Sequence, residues 1–225
     1  MSTQDTDSDN LVYDSSMKAL SLSKALQAMY LLTFMGTAGA EDQIRIACVG
    51  DSITFGAGCR DPLQDGYPSV LQRSLGDAYK VGNFGIAGAN LIKTGDQPYW
   101  KEKAFEAAIS FEPNAVIILL GTNDTKPQNL CFINRFEQDL GEMIDRFATL
   151  PSHPKIWVCL PAPVYYVAWD INQPGLDQLL PIIKRVAAEK KVPVINLFRA
   201  LSNKPMSFPD GVHPNESGSQ TIANT

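Results

Sequence analysis

Ser52, Asp210 and His213 are the residues best placed by type and spacing to do chemistry. Ser52 follows Gly50-Asp51 directly after the apolar run Ile44-Arg45-Ile46-Ala47-Cys48-Val49, so a strand ends in a glycine turn and presents a hydroxyl at its tip. Open α/β folds bind their ligands at this carboxyl edge of the sheet. A serine hydroxyl becomes a useful nucleophile when a neighbouring base takes its proton, and an imidazole can accept and return one at neutral pH. The segment Asp210-Gly211-Val212-His213-Pro214-Asn215 holds an acid and an imidazole three residues apart in a loop bounded by Gly and Pro, where they can meet at hydrogen-bond distance. The other histidine, His153, lies in the polar connection Pro151-Ser152-His153-Pro154 and suits solvent better than catalysis. Two more clusters close apolar runs, Asn83-Phe84-Gly85-Ile86-Ala87-Gly88 and Gly121-Thr122-Asn123-Asp124, and Gly88 and Asn123 are possible donors to an oxyanion. Taken alone, Ser52 has a simpler reading as a helix N-cap. Asp51 and Asp124 read as buried structural acids, and Asn83, Gly85 and Gly121 as turn formers.

The elements that must position these residues follow from hydrophobic patterning. Short apolar runs at 44–49, 79–84, 115–120, 156–160 and 192–197 alternate with helical patterns at 67–75, 101–111, 131–150 and 176–190. Asn215 is suited to cap a last helix. Five strands with helices between them imply a parallel sheet covered on both faces, an α/β fold of three layers. The run 115–120 is apolar throughout and belongs at the centre; 79–84 mixes in polar residues and 192–197 contains Pro193, so both suit edges. The flavodoxin-like order 2-1-3-4-5 fits this pattern. Strand one then runs between strands two and three, about 4.8 Å from each, with Gly88 on one side of Ser52 and Asn123 on the other. Strand five lies roughly 14 Å from strand one, at about 4.8 Å per step. Residues 198–213 must therefore carry Asp210 and His213 back, which an extended chain at about 3.3 Å per residue achieves easily.

Of the 225 residues, 44% are hydrophobic and 19% charged, which fits one soluble domain with a sizeable core. Most of the net charge of −5 comes from Asp5, Asp7, Asp9 and Asp14 in a polar leader, residues 1–16, that reads as disordered. No basic stripe points to nucleic acid and no charge field to a membrane surface. Residues 17–40 place Lys18 and Lys24 before an apolar stretch from Ala25 to Phe34 and then Thr37-Ala38-Gly39-Ala40, the order of a secretory signal peptide. Gln27 and Thr33 interrupt a run shorter than the roughly 20 residues that span a bilayer. Export to the periplasm or medium is expected, with no stable membrane insertion once the signal is removed, and a catalytic domain over 41–225.

The four strand-end clusters, in this order after these strands, resemble the sequence blocks of the SGNH hydrolases, also called GDSL esterases and lipases. The resemblance covers 41–225 and implies the SGNH version of the flavodoxin-like fold. It makes Ser52 the nucleophile, His213 the general base and Asp210 the residue that orients it. The backbone N–H groups of Ser52 and Gly88 and the side-chain amide of Asn123 become the oxyanion hole. The order Ser, Asp, His also occurs in α/β-hydrolases, but no G-x-S-x-G elbow surrounds Ser52. The resemblance implies a serine ester hydrolase that works through an acyl-enzyme without metal or cofactor. Its segment 93–100 and its export signal look most like bacterial carbohydrate esterases of the sialate O-acetylesterase type, which remove acetyl groups from sugars. A lysophospholipase or thioesterase is the rival within the class, and a non-catalytic carbohydrate-binding module is the rival outside it.

Tyr99 and Trp100 form an aromatic pair with polar neighbours that suits stacking on a sugar, or else Trp100 anchors the next helix; Tyr165, Tyr166 and Trp169 pose the same alternative. Cys48 and Cys159 fall within strands about 9.6 Å apart, beyond the ~7 Å limit for a disulfide, and are expected to be buried thiols. Cys59 and Cys131 follow active-face loops, so an exported protein could bridge them. No CxxC pair or His cluster suggests zinc. The last helix has only residues 215–225, so the loop that carries His213 is expected to be weakly docked.

Overall fold

A computed structural model describes residues 43–225, so the acidic leader and the signal-like segment lie outside the described residues. Five parallel strands are ordered β2-β1-β3-β4-β5: β1 Ile44–Gly50, β2 Tyr79–Gly85, β3 Ala115–Leu119, β4 Lys155–Leu160 and β5 Val194–Asn196. This is the order expected from the sequence. All five residues of β3 are buried, as befits a strand at the sheet centre. The edge strands β2 and β5 leave Lys80, Asn83 and Val194 exposed.

Side chains alternate between the two faces of a strand, and here each face builds its own core. One core takes Ala47, Val49, Val116, Ile118, Ile156 and Val158. Against them pack α4 (Lys103–Ser110), α6 (Ile133–Ala148) and α7 (Gln173–Glu189), through Phe105, Phe136, Phe147, Leu179 and Ile183. The other core takes Ile46, Cys48, Ala115, Ile117, Leu119 and Cys159. It is covered by α3 (Tyr67–Leu75), α8 (Leu197–Leu201) and α9 (Glu216–Asn224), through Tyr67, Leu71, Leu201 and Ile222. Three short helices complete the set: α1 (Ser52–Phe55), α2 (Pro62–Asp65) and α5 (Pro127–Leu130).

The last helix forms over its nine residues, and Asn215 caps it by accepting from Gly218 N–H at 3.1 Å. Its Ile222 and Ala223 are buried in the second core, so the helix is docked on the sheet. Four cysteines are free. The Cys59–Cys131 bridge is not formed: Cys59 is buried with Sγ 3.2 Å from Ser219 Oγ, whereas Cys131 is exposed with Sγ 3.3 Å from Gln128 O. No helix among the described residues is long and apolar enough to cross a membrane.

Because Ile118 pairs with Val49 on β1 and Val158 on β4 in the larger core, Ile118→Ala is expected to cost about 2–5 kcal/mol. Urea denaturation should show a lower midpoint at an unchanged slope; a loss below about 1 kcal/mol would mean that this core is not close-packed.

Candidate active site

Local sequence places each group of the site at the carboxyl edge. Directly after β1, the Asp51 carboxylate caps α1 by accepting from Ile53 N–H at 2.9 Å, and Gly56 closes the helix in the left-handed region at φ 99°. Asp51 thus takes the capping role that the sequence offered to Ser52. The Ser52 hydroxyl, on the first helical residue, is left for another partner. Gly50 is fixed here because a Cβ on it would lie 2.1 Å from Thr54 Oγ1 and 2.6 Å from Leu119 O.

That partner is His213. Its Nε2 lies 2.8 Å from Ser52 Oγ, and its Nδ1 lies 2.8 Å from Asp210 Oδ2. The other Asp210 oxygen accepts from the backbone N–H of Val212 at 2.9 Å and of His213 at 2.7 Å. A carboxylate at Nδ1 keeps the proton on that nitrogen, which leaves the Nε2 lone pair facing the serine. Partial burial pushes the Asp210 carboxyl up, but the hydrogen bonds from His213 and Val212 outweigh it and hold the group below the usual carboxylate range. The triad expected from the sequence is therefore assembled in one hydrogen-bonded chain.

The loop that bears His213 is fastened from three sides. Tyr165 N–H donates to Gly211 O at 2.9 Å, and the Tyr166 hydroxyl donates to Pro209 O. Gly211 has φ 84°, and a Cβ there would meet the Tyr166 ring at 2.6 Å, so only glycine fits this turn. Asn215 N–H donates to Ser207 O at 2.8 Å, and Gly58 packs so closely that a Cβ would sit 2.4 Å from Pro214 O.

Strand register brings the two expected oxyanion donors to the same edge. Gly50 pairs with Gly85 on β2 and with Leu119 on β3, so Ser52, Gly88 and Asn123 follow neighbouring strand ends. Ala89 N–H donates to Ile86 O at 3.1 Å, and Gly88 at φ 85° supplies the positive φ that this four-residue turn requires. The Asn123 side-chain amide donates one hydrogen to Ala89 O at 3.1 Å. An amide NH2 has two hydrogens, so the second stays available to substrate.

A buried carboxylate holds these two loops together. Asp124 accepts from Leu91 N–H at 2.9 Å and from Ile92 N–H at 2.8 Å. Asn129 adds a second staple: its amide donates to Asn123 O at 2.9 Å and to Asp96 Oδ1 at 2.8 Å, and its oxygen accepts from Asp96 N–H at 2.8 Å. The sequence marked Asp124 as a structural acid, and so it is placed; Asn129, in a run with no motif, gave no signal at all.

Tyr99 and Trp100 are not positioned to stack on a sugar. Tyr99 is fully buried and donates its hydroxyl to Phe84 O at 2.6 Å. Trp100 donates Nε1–H to Leu91 O at 2.9 Å and packs on Phe105 at 5.2 Å, with the Lys93 ammonium 4.1 Å from its ring centroid. Their neighbours are core and loop, so they anchor α4 and the Asn90 loop. His153 is exposed and distant from the triad in sequence and role, as expected.

Trp169 occupies the place that Tyr99 and Trp100 do not. It is 57% exposed, and its indole centroid lies 4.8 Å from that of the His213 ring. It sits with Asp170 at the tip of a turn, Ile171 N–H donating to Ala168 O at 2.9 Å, with φ 51° and 62°. Paired positive φ values favour Gly, Asn and Asp, and a bulky residue there costs of order 1–3 kcal/mol.

Two acids beneath the site are pushed up by burial. Desolvation raises Asp51 to about 7 against the bond from Ile53, and raises Asp124 to about 6 against the bonds from Leu91 and Ile92. The buried Thr122 hydroxyl beside Asp51 also works against that rise.

Residues 48–221 match the GDSL-like lipase/acylhydrolase family. An acetylxylan esterase of Xylanibacter ruminicola is 38% identical over 202 residues, which cover 81% of this chain and 42% of that protein. The chain thus spans less than half the length of this curated relative. A carbohydrate acetylesterase from Sinorhizobium meliloti superposes with a TM-score of 0.68 at 20% identity, over 81% of this chain and 95% of its own. The aryl esterase of M. smegmatis superposes with a TM-score of 0.58 at 21% identity, over 80% and 94%. These two share the fold.

The raised Asp51 makes the stability of the fold depend on pH. Between about pH 4 and 7 the native chain keeps a proton on Asp51 that the unfolded chain has released, so this group's contribution to stability falls as pH rises through that window. Asp51→Asn should remove that part of the slope. Urea midpoints of both proteins between pH 5 and 8 check it, and parallel pH profiles would show that Asp51 is ionised in the native state throughout.

Proposed function

The chain belongs to the GDSL-like lipase/acylhydrolase family, and from that premise we propose a serine ester hydrolase that removes O-acetyl groups from carbohydrate through an acyl-enzyme on Ser52. The observation that carries the reading is the continuous hydrogen-bonded chain from Ser52 Oγ through His213 to Asp210.

The chemistry follows atom by atom. Ser52 Oγ bonds to the ester carbonyl carbon while its proton passes to His213 Nε2; the carbonyl π electrons move to oxygen. Gly88 N–H, Ser52 N–H and the free Asn123 amide hydrogen are the donors offered to that oxyanion. Donors fixed in advance are worth about 3–4 kcal/mol each where one has been removed from a serine hydrolase. Collapse breaks the bond to the alcohol oxygen, which leaves with the proton from His213. Water then attacks the acyl-serine, His213 takes its proton and returns it to Ser52 Oγ, and the carboxylic acid departs. Asp210 stabilises the imidazolium formed in each half and stays ionised.

Acetyl esters of polysaccharide are the substrate class because the relative of greatest identity named above is an acetylxylan esterase. Export of a catalytic domain over 41–225 belongs to the same proposal and rests on the signal-like pattern of residues 17–40. A polymer outside the cell is a substrate that an exported enzyme can reach.

Acetate release from acetylated xylan, with 4-nitrophenyl acetate and octanoate beside it, tests the reading. The acetyl ester should be strongly preferred, and Ser52→Ala should lose up to ~10⁶-fold in kcat, as in another triad enzyme. Asn123→Ala should lose ~10²–10³-fold in kcat with little change in KM. Preference for octanoate would favour the lysophospholipase or thioesterase class, and an active Ser52→Ala protein would refute the mechanism.

A further inference from the structure

We propose that Trp169 forms a sugar-binding platform for the alcohol half of the ester, a subsite that receives the pyranose ring bearing the acetyl group. The inference rests on the ester-hydrolase reading above, which fixes where the leaving oxygen must go. His213 returns its proton to that oxygen, so the oxygen must come within hydrogen-bond reach of Nε2. The carbonyl oxygen is taken by other donors, Gly88 and Asn123, which follow β2 and β3 and do not belong to the His213 loop. The atoms attached to the leaving oxygen therefore emerge beside the imidazole, and the nearest aromatic surface there is the Trp169 indole, 4.8 Å between ring centroids and tilted by 58°.

Three observations separate Trp169 from a packing residue. Of the three tryptophans, Trp157 is buried in the sheet core and Trp100 is bonded to Leu91 O, whereas Trp169 is 57% exposed. Its chain neighbours Tyr166 and Val167 are also exposed, at 53% and 68%, so this segment presents three large side chains to solvent. Finally, the indole is held on a turn whose φ of 51° is unfavourable for it, on a connection tied down at both ends. Tyr165 N–H donates to Gly211 O at one end, and at the other Asn172 N–H donates to Thr125 Oγ1 at 3.3 Å. A flat, rigid, half-exposed aromatic beside a proton donor suits the C–H faces of a sugar, while the ring hydroxyls remain in water. A small alcohol offers no ring face to the indole, so the platform favours a sugar over a small leaving group.

The full chain carries the test in two arms. In the Ser52→Ala background, an acetylated xylo-oligosaccharide is titrated by calorimetry and by tryptophan emission. Binding should perturb the emission, and adding Trp169→Ala should weaken Kd by about tenfold, the scale of losing one buried aromatic face. In the active chain, kcat/KM for the same oligosaccharide is divided by kcat/KM for ethyl acetate. That ratio should fall by about tenfold in Trp169→Ala and return in Trp169→Tyr. A purely structural role through His213 would lower both substrates together and leave the ratio unchanged, which would overturn the proposal, as would an unaltered Kd. A chain inert toward every ester would instead overturn the hydrolase reading, while the binding arm would still decide for or against the platform.

Discussion

The 2.8 Å contact between Ser52 Oγ and His213 Nε2 joins residues 161 positions apart, and most of the structure serves to make it. Closing a flexible loop of that length costs about 4–5 kcal/mol in chain entropy, against a net gain of about 0.5–1.5 kcal/mol from one hydrogen bond. The bond cannot hold itself. The sheet supplies the difference: β1 fixes one end beside its neighbours, and two buried cores fix the elements that lead to the other. What remains is local fastening, and the Tyr165, Tyr166 and Asn215 contacts provide it at the His213 loop.

Four carboxylates divide the work by environment. Asp210 is partly exposed, collects N–H donors and stays ionised beside an imidazole. Asp124 is wholly buried and spends its oxygens on the backbone of the adjacent loop, so it shapes the turn that offers Gly88. Asp51 is wholly buried beneath the nucleophile and caps its helix with a single oxygen. Asp139 accepts from Lys93 N–H at 2.8 Å and ties the same loop to α6. Desolvation works against the ionised form of the two most buried acids, so their value lies in geometry and is won at the expense of stability near neutral pH.

The sheet order and all five strands were legible because hydrophobic runs and strand-edge polarity report burial directly: Ala115–Leu119 could sit only at the centre, and Pro193 marked an edge. Ser52, Gly88 and Asn123 were legible as candidates because they follow strand ends, and Asp210 and His213 because an acid and an imidazole stand three residues apart in a loop bounded by Gly and Pro. Side chains with several equally good uses were not. Tyr99 and Trp100 satisfy the pattern of a sugar platform and equally the pattern of a core anchor, and only packing separates the two. Cys59 and Cys131 both follow active-face loops in the sequence but face different neighbours. Trp169 carries a conformation, φ 51° beside Asp170 at 62°, that no residue preference announces, because preference argues for Gly or Asn there.

In the proposed mechanism His213 and Asp210 activate Ser52 in particular. Treating the full chain with a fluorophosphonate, an electrophile attacked by an activated serine hydroxyl, and locating the adduct by peptide mass spectrometry tests it most directly. A single adduct on Ser52 is expected, and it should form far more slowly in His213→Ala. An adduct on another residue, or equal rates of labelling with and without the imidazole, would contradict it.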